Sequence, residues 1–135
     1  MITNIAIASV FVKDIDASKA FYIDVLGFEE NSDVSLGDGY RWCTVSHASQ
    51  PEIQVHLTIP GPPHTPDMIA AMNRALDEGN MHGLGMAVDD CHKTYEELKA
   101  RGVEFLQEPS DRPYGVDAAL RDPSGNSIRL VQSTV

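Results

Sequence analysis

Apolar and polar residues alternate along several short stretches of the chain, the pattern of a β-strand with one buried face. In Glu52–Ile59 every second residue is apolar and the residues between are polar. Alternation and the neighbouring turn residues predict strands at Ile5–Val12, Phe28–Asn31, Tyr40–Ser46, Glu52–Ile59, His82–Val88, Val103–Leu106, Val116–Arg121 and Ser127–Val131.

Three other segments carry helix signals, a capping residue at the start and a glycine at the end. Asp14 or Asp16 is predicted to cap a helix over Ala17–Val25, and Asp90 to cap one over Cys91–Arg101. Between them, a helix is predicted from the N-cap Thr65 to Gly79.

The order strand–helix–strand–strand–strand therefore occurs twice, which indicates an internal duplication. Val12-Lys13-Asp14 matches Val88-Asp89-Asp90, and Leu26-Gly27-Phe28-Glu29 matches Arg101-Gly102-Val103-Glu104. We expect residues 1–135 to form one domain. The predicted parts are a first module over about 1–60, a linker helix over about 65–79 and a second module over about 82–135.

Composition narrows the function classes. The 135 residues are 42% hydrophobic and carry 20 Asp and Glu against 10 Lys and Arg, a net charge of −10. These values exclude a disordered chain, and the absence of a basic cluster argues against nucleic acid as a partner. No apolar run is long enough for a bilayer, and no signal peptide or membrane partner is expected. Cys43 and Cys91 form no CxxC pair, which predicts reduced thiols and a cytoplasmic protein.

Four short motifs resemble those of the vicinal oxygen chelate superfamily, which includes glyoxalase I, extradiol dioxygenases and bleomycin-resistance proteins. They are Val12-Lys13-Asp14, Phe21-Tyr22, Leu26-Gly27-Phe28 and Asp122-Pro123-Ser124-Gly125-Asn126. The resemblance covers nearly the whole chain. It implies an α+β fold in which two tandem βαβββ modules form a U-shaped mixed sheet with a concave pocket, and it implies a homodimer.

The same resemblance implies four metal-ligand positions. Counted from the motifs, they fall at Ile7, Gln54, Gly83 and Arg129. Isoleucine and glycine offer no side-chain ligand, and a guanidinium repels a divalent ion. We therefore expect neither a bound metal nor another cofactor. The alternative is a divalent metal held by His56 and His82.

Strand alternation predicts which side chains face the pocket. Gly83, Gly85 and Ala87 are expected there, while Leu84 and Met86 pack inward. The candidate ligand-binding residues are Phe11, Trp42, Gln54, His56, Tyr114 and Arg129.

For several of these candidates the sequence is compatible with two roles. Trp42 either stacks on a planar ligand or packs in the core, and His56 either binds ligand or is a hydrogen-bonded structural residue. Arg129 either holds a ligand carboxylate or phosphate, or pairs with Asp117 on the neighbouring strand. Tyr114, in the loop before a strand, is expected to cover the pocket.

The predicted function is metal-independent binding or sequestration of a small organic molecule. No catalytic residue is assigned. The alternative is a lyase, isomerase or dioxygenase of the same superfamily with a nonstandard or metal-free site. A third interpretation is an interaction module that uses the fold only for dimerisation.

Overall fold

The computed structural model describes residues 1–134, which form two compact units. The first unit is Met1–Asn73 and the second begins at Arg74. Each unit contains one four-stranded mixed sheet and repeats the order strand, helix, strand, strand, strand. The α+β fold with two βαβββ modules is therefore confirmed.

The first unit contains β1 (Ile7–Phe11), α1 (Ile15–Ala20) continued by a π-helical turn (Phe21–Val25), β2 (Glu29–Gly37), β3 (Tyr40–Ser46) and β4 (Gln54–Thr58). The helix α2 (Pro66–Asp77) begins in this unit and ends in the second. The second unit continues with β5 (Met81–Ala87), α3 (Cys91–Ala100), β6 (Phe105–Arg112), β7 (Gly115–Arg121) and β8 (Asn126–Ser133).

The two sheets have the same topology. Their strand orders are β1-β4-β3-β2 and β5-β8-β7-β6, and in each the first strand pairs in parallel with its neighbour. In the first sheet, the face that packs on α1 buries apolar side chains that include Val10, Val45 and Leu57. In the second, Leu120, Ile128 and Leu130 are buried on the face that packs on α3. The other face carries polar residues in both sheets, among them His56 in the first and Arg129 in the second.

Helix capping follows the sequence signals. Asp14 accepts a hydrogen bond from the backbone N–H of Ala17, and Asp90 accepts one from Lys93. At α2 the hydroxyl of Thr65 accepts from the backbone N–H of Met68. Of the two caps considered for the first helix, the structure uses Asp14.

The strands β2 and β6 are longer than predicted, at nine and eight residues. Both are edge strands with register irregularities, so neither needs a regular apolar face and alternation alone misses them. The two-residue turn Asp38-Gly39 joins β2 to β3, and both of its residues have positive φ.

The prediction that Gly83 in β5 faces the pocket is wrong. A register irregularity between His82 and Gly85 lets His82 pair with Ser127 and Gly85 with Arg129. A Cβ atom on Gly83 would lie 3.3 Å from Cγ1 of buried Ile128, so Gly83 faces the core. His82 and Gly85 share the outer face because the extra residue reverses the alternation locally.

Candidate functional site

The face of the first sheet opposite α1 carries four of the predicted site residues. His56 is flanked in the sheet by Ser9 and Thr44. Gln54 lies two residues before His56 on the same face, and Trp42 two residues before Thr44. Phe11 follows Ser9 in the same alternation. The first module thus collects Phe11, Trp42, Gln54 and His56 on one face.

Trp42 and His56 form a stacked pair. Their ring centroids are 4.2 Å apart and the planes are inclined by 30°. His56 is 8% exposed, and its Nε2 atom has no hydrogen-bond partner within residues 1–134. Burial lowers the pKa of His56, which favours the neutral imidazole. The pair therefore combines a flat aromatic surface with one unused polar atom.

The neighbouring side chains are already engaged. The Thr44 hydroxyl donates to Oε1 of Gln54 at 3.0 Å. Phe11 is half-buried and makes an edge contact with the ring of His64, with centroids 5.6 Å apart. His64 is an exposed residue of the segment that joins β4 to α2. Its contact with Phe11 depends on the path of the 61–65 segment, which no local pattern specifies.

In the second module, the outer face of the sheet is organised around Asp117. This carboxylate is 1% exposed although it lies opposite the helix-packed face, because four side chains cover it. Oδ1 accepts from Nε2 of Gln107 at 2.9 Å and from Nε of Arg112 at 3.0 Å. Oδ2 accepts from Nη1 of Arg129 at 2.8 Å and from the Tyr114 hydroxyl.

These donors fix the ionisation of the cluster. The hydroxyl of Tyr114, together with Gln107 and Arg112, holds the pKa of Asp117 well below its usual range. The same carboxylate raises the pKa of Arg112. One carboxylate between two guanidinium groups leaves a net charge of +1.

Two of the predicted ligand-binding residues, Arg129 and Tyr114, belong to this cluster. Of the two roles considered for Arg129, pairing with Asp117 is the one present, yet its side chain remains 58% exposed. Tyr114 belongs to the two-residue turn between β6 and β7, and its hydroxyl points to Asp117. Gln107 and Arg112 were not predicted. An acid inside the apolar strand Gly115–Arg121 was the available signal, since a buried acid requires partners.

The strand registers show which positions of the two modules correspond. The β2–β3 and β6–β7 hairpins provide the starting point. Next to the turn, Gly37 pairs with Tyr40 in the first hairpin and Arg112 pairs with Gly115 in the second, so Tyr40 corresponds to Gly115. Two residues later, Trp42 in the first module corresponds to Asp117 in the second. Two further on, Thr44 pairs with His56 and Ala119 with Arg129, so His56 corresponds to Arg129.

This correspondence changes which residues of this chain occupy the family's four metal-ligand positions. Arg129 matches His56, where sequence counting gave Gln54. Ile7 pairs with Gln54 as His82 pairs with Ser127, so His82 matches Ile7. The set becomes Ile7, His56, His82 and Arg129. Two imidazoles fall short of the roughly three protein ligands of a catalytic metal, and the guanidinium of Arg129 opposes a cation. Within residues 1–134 no three or more His, Cys, Asp or Glu side chains are grouped to hold a metal ion.

The two thiols offer no reactive group. Cys43 and Cys91 are free and fully buried. Burial raises the pKa of each thiol, which disfavours the thiolate that would act as a nucleophile.

Two duplicated βαβββ modules, each with a helix on one face of its sheet and polar groups on the other, define the class of protein. Residues 4–130 match the model of the Glyoxalase/Bleomycin resistance protein/Dioxygenase superfamily. The chain belongs to this superfamily, as the four motifs predicted.

Two curated relatives are similar along nearly their whole lengths. The uncharacterized protein YurT of Bacillus subtilis (strain 168) is 33% identical over 130 residues, covering 96% of this chain and 98% of the relative. A probable lactoylglutathione lyase of Synechocystis sp. is 27% identical over 132 residues, covering 91% and 90%.

Two solved structures share the fold closely. The crystal structure of UcmS2 superposes with a TM-score of 0.88 at 36% identity, covering 98% of this chain and 100% of that one. TnmS3, an antibiotic binding protein from Streptomyces sp. CB03234, gives a TM-score of 0.78 at 28% identity, covering 98% of both chains. Among the described residues, no helix is long and apolar enough to cross a membrane.

Proposed function

We propose that this protein binds a small organic molecule of the antibiotic class without using a metal ion. The observation that carries the proposal is the Trp42–His56 pair, whose buried imidazole leaves Nε2 without a partner among the described residues. A buried unpaired polar atom is costly in a folded protein. A ligand that stacks on the aromatic surface and, with a side-chain movement that uncovers Nε2, hydrogen-bonds this buried atom would remove that cost.

Two further observations support binding without a metal. The positions that correspond to the family's ligands hold only two imidazoles, and Arg129 donates to Asp117. TnmS3 is described as an antibiotic binding protein and shares 28% identity along almost the whole chain. Sequestration, in a homodimer of reduced cytoplasmic chains, is the biological role that we infer.

The competing function is catalysis by a lyase of the same superfamily. The similarity to a probable lactoylglutathione lyase favours it. A metal-dependent lyase would need ligands that the corresponding positions lack, while a metal-free enzyme would need a base such as His56. The binding function requires neither turnover nor metal.

The test is a calorimetric titration of the purified protein against a panel of antibiotics, with and without a chelator. We expect one-to-one binding of at least one compound, with an affinity that chelation does not change. His56→Gln should weaken this binding about tenfold, which corresponds to 1.4 kcal/mol. His92→Gln, at the exposed start of α3, is the matched control and should leave the affinity unchanged.

Three results would overturn the proposal. The first is that no compound binds. The second is about one tightly held metal per chain, with binding lost on chelation. The third is lactoylglutathione formation by the wild type that His56→Gln abolishes, which would establish the enzyme instead.

A further inference from the structure

We propose that Arg112 and Arg129 form an anion-binding subsite on the second module, which takes small organic molecules that carry a carboxylate, phosphate, sulfonate or phenolate group. This inference rests on the proposed small-molecule function and specifies the ligand class. The observation behind it is that the buried carboxylate of Asp117 accepts hydrogen bonds from two exposed guanidinium groups.

Asp117 fixes the position of the subsite. Its two oxygens accept from four side chains, so the carboxylate has no need of a further donor. Its backbone lies in the middle of β7, hydrogen-bonded on both sides to β6 and β8. The two arginines are therefore anchored at one end to a rigid strand.

Each arginine uses only part of its hydrogen-bonding capacity. Arg112 donates Nε–H, and Arg129 donates through Nη1. A guanidinium has five N–H groups in a fixed fork, which suits a planar or tetrahedral anion. The two side chains are 41% and 58% exposed, so their remaining donors are accessible.

The charge balance indicates a role beyond folding. One guanidinium neutralises one carboxylate, and the second leaves the cluster at +1. The whole chain carries −10 and has twice as many acidic as basic residues. Two of only ten Lys and Arg residues thus meet at one buried acid, on the face of the sheet that α3 does not cover.

Two fluorescent probes that differ by one anionic group test the subsite. The first is 1-anilinonaphthalene-8-sulfonate, and the second is N-phenyl-1-naphthylamine, which has the same rings without the sulfonate. Arg129→Gln and Arg112→Gln should each weaken binding of the sulfonate about tenfold and change binding of the neutral probe less than twofold. Arg129→Lys keeps the charge without the fork and should recover part of the loss.

Arg74→Gln on α2 is the matched control, because it removes the same charge from an exposed residue that is not among the donors to Asp117. It should leave both affinities within twofold. Thermal unfolding of every variant establishes that it is folded before titration.

The outcomes separate the two proposals. If both probes bind and the sulfonate is insensitive to Arg112 and Arg129, the anion subsite is overturned and the binding function stands. The subsite is also overturned if Arg74→Gln weakens the sulfonate as much as Arg129→Gln does. If neither probe binds the wild type, this inference fails, and the antibiotic titration decides the binding function separately.

Discussion

The two modules use the same backbone positions for different chemistry. Where the first module stacks Trp42 on His56 at 4.2 Å, the second joins Asp117 to Arg129 at 2.8 Å. Both pairs lie on the face opposite the packed helix, and both have one buried member. The first pair is apolar with an unused nitrogen, while the second is ionic and fully hydrogen-bonded at its carboxylate.

This difference distinguishes the residues that the fold requires from those that are free to serve a binding site. The helix-packed faces of both sheets bury aliphatic side chains in the same pattern, because that face must exclude water in either module. The opposite face has no such requirement, so its residues are free to diverge. The free face of the first module is therefore aromatic in character, and that of the second is ionic.

The largest expected effect concerns the start of β7. Gly115 has φ +141°, and a Cβ atom there would lie 2.0 Å from the carbonyl oxygen of Gln132. We expect Gly115→Ala to lower the free energy of unfolding by about 3 kcal/mol or more, as measured by urea denaturation.

Gly37 in the first module is the control, because it also has positive φ but open space around it. Gly37→Ala should cost only about 1 kcal/mol. Equal losses for the two variants would show that backbone strain, and not the close approach of β8, requires the glycine at position 115.

The second effect concerns the buried acid. Asp117→Asn removes the charge that two arginines and Tyr114 share, and we expect the free energy of unfolding to fall by about 2–3 kcal/mol. The exposed Asp111 on β6 is the matched control, and Asp111→Asn should change stability by less than about 0.5 kcal/mol. A loss no larger than the control's would mean that the cluster contributes nothing to folding.

A smaller effect distinguishes the modules by pH. Burial lowers the pKa of His56 from an ordinary value of 6.5, so the unfolded chain takes up this proton more readily. Its contribution to stability is complete above about pH 6.5 and is lost as the pH falls below that value. The pKa of Asp117 is also lowered, so its contribution is complete above the ordinary aspartate pKa and is lost only in stronger acid.

Denaturation at intervals between pH 7 and pH 3 measures both contributions. We expect His56→Phe to reduce the dependence of the free energy of unfolding on pH between pH 7 and pH 5. Asp117→Asn should reduce this dependence only below about pH 4. Identical pH profiles for wild type and His56→Phe would contradict a buried neutral imidazole.

The smallest effect on stability is expected at the aromatic pair. His56→Phe keeps a ring against Trp42 and removes the unpaired Nε2, so stability should stay level or rise by up to about 1 kcal/mol. At the corresponding position of the second module, Arg129→Met should lower the free energy of unfolding by about 1 kcal/mol. The arginine is exposed, but its removal takes one hydrogen bond from the buried carboxylate of Asp117. A clear loss in His56→Phe would show that Nε2 has a bonding partner in solution.

Much of the fold follows from local signals. The alternation in Glu52–Ile59 and the caps Asp14 and Asp90 predict their elements because each signal arises from a few adjacent residues. The bulge in β5 does not follow, since a single extra residue at Gly83-Leu84 reverses the alternation on one side only. The lengths of β2 and β6 were missed for a related reason, because edge strands with bulges have weak apolar patterns.

The candidate site was predictable only in part. Alternation placed Phe11, Gln54 and His56 on one face, because the first sheet is regular there. The four donors around Asp117 come from β6, β8 and a turn, and their convergence depends on register between strands distant in sequence. The correspondence of His56 with Arg129 required the same information.

The hairpin tips of the two modules also differ in how they tolerate change. The Asp38-Gly39 turn has exposed residues, and Cβ atoms on Gly37 and Gly39 would meet nothing within 4 Å. The Pro113-Tyr114 tip is tied down through the hydroxyl of Tyr114. The first tip is therefore the natural place to attach a dye, an affinity tag or an inserted peptide, and a label there would leave the Asp117 cluster intact.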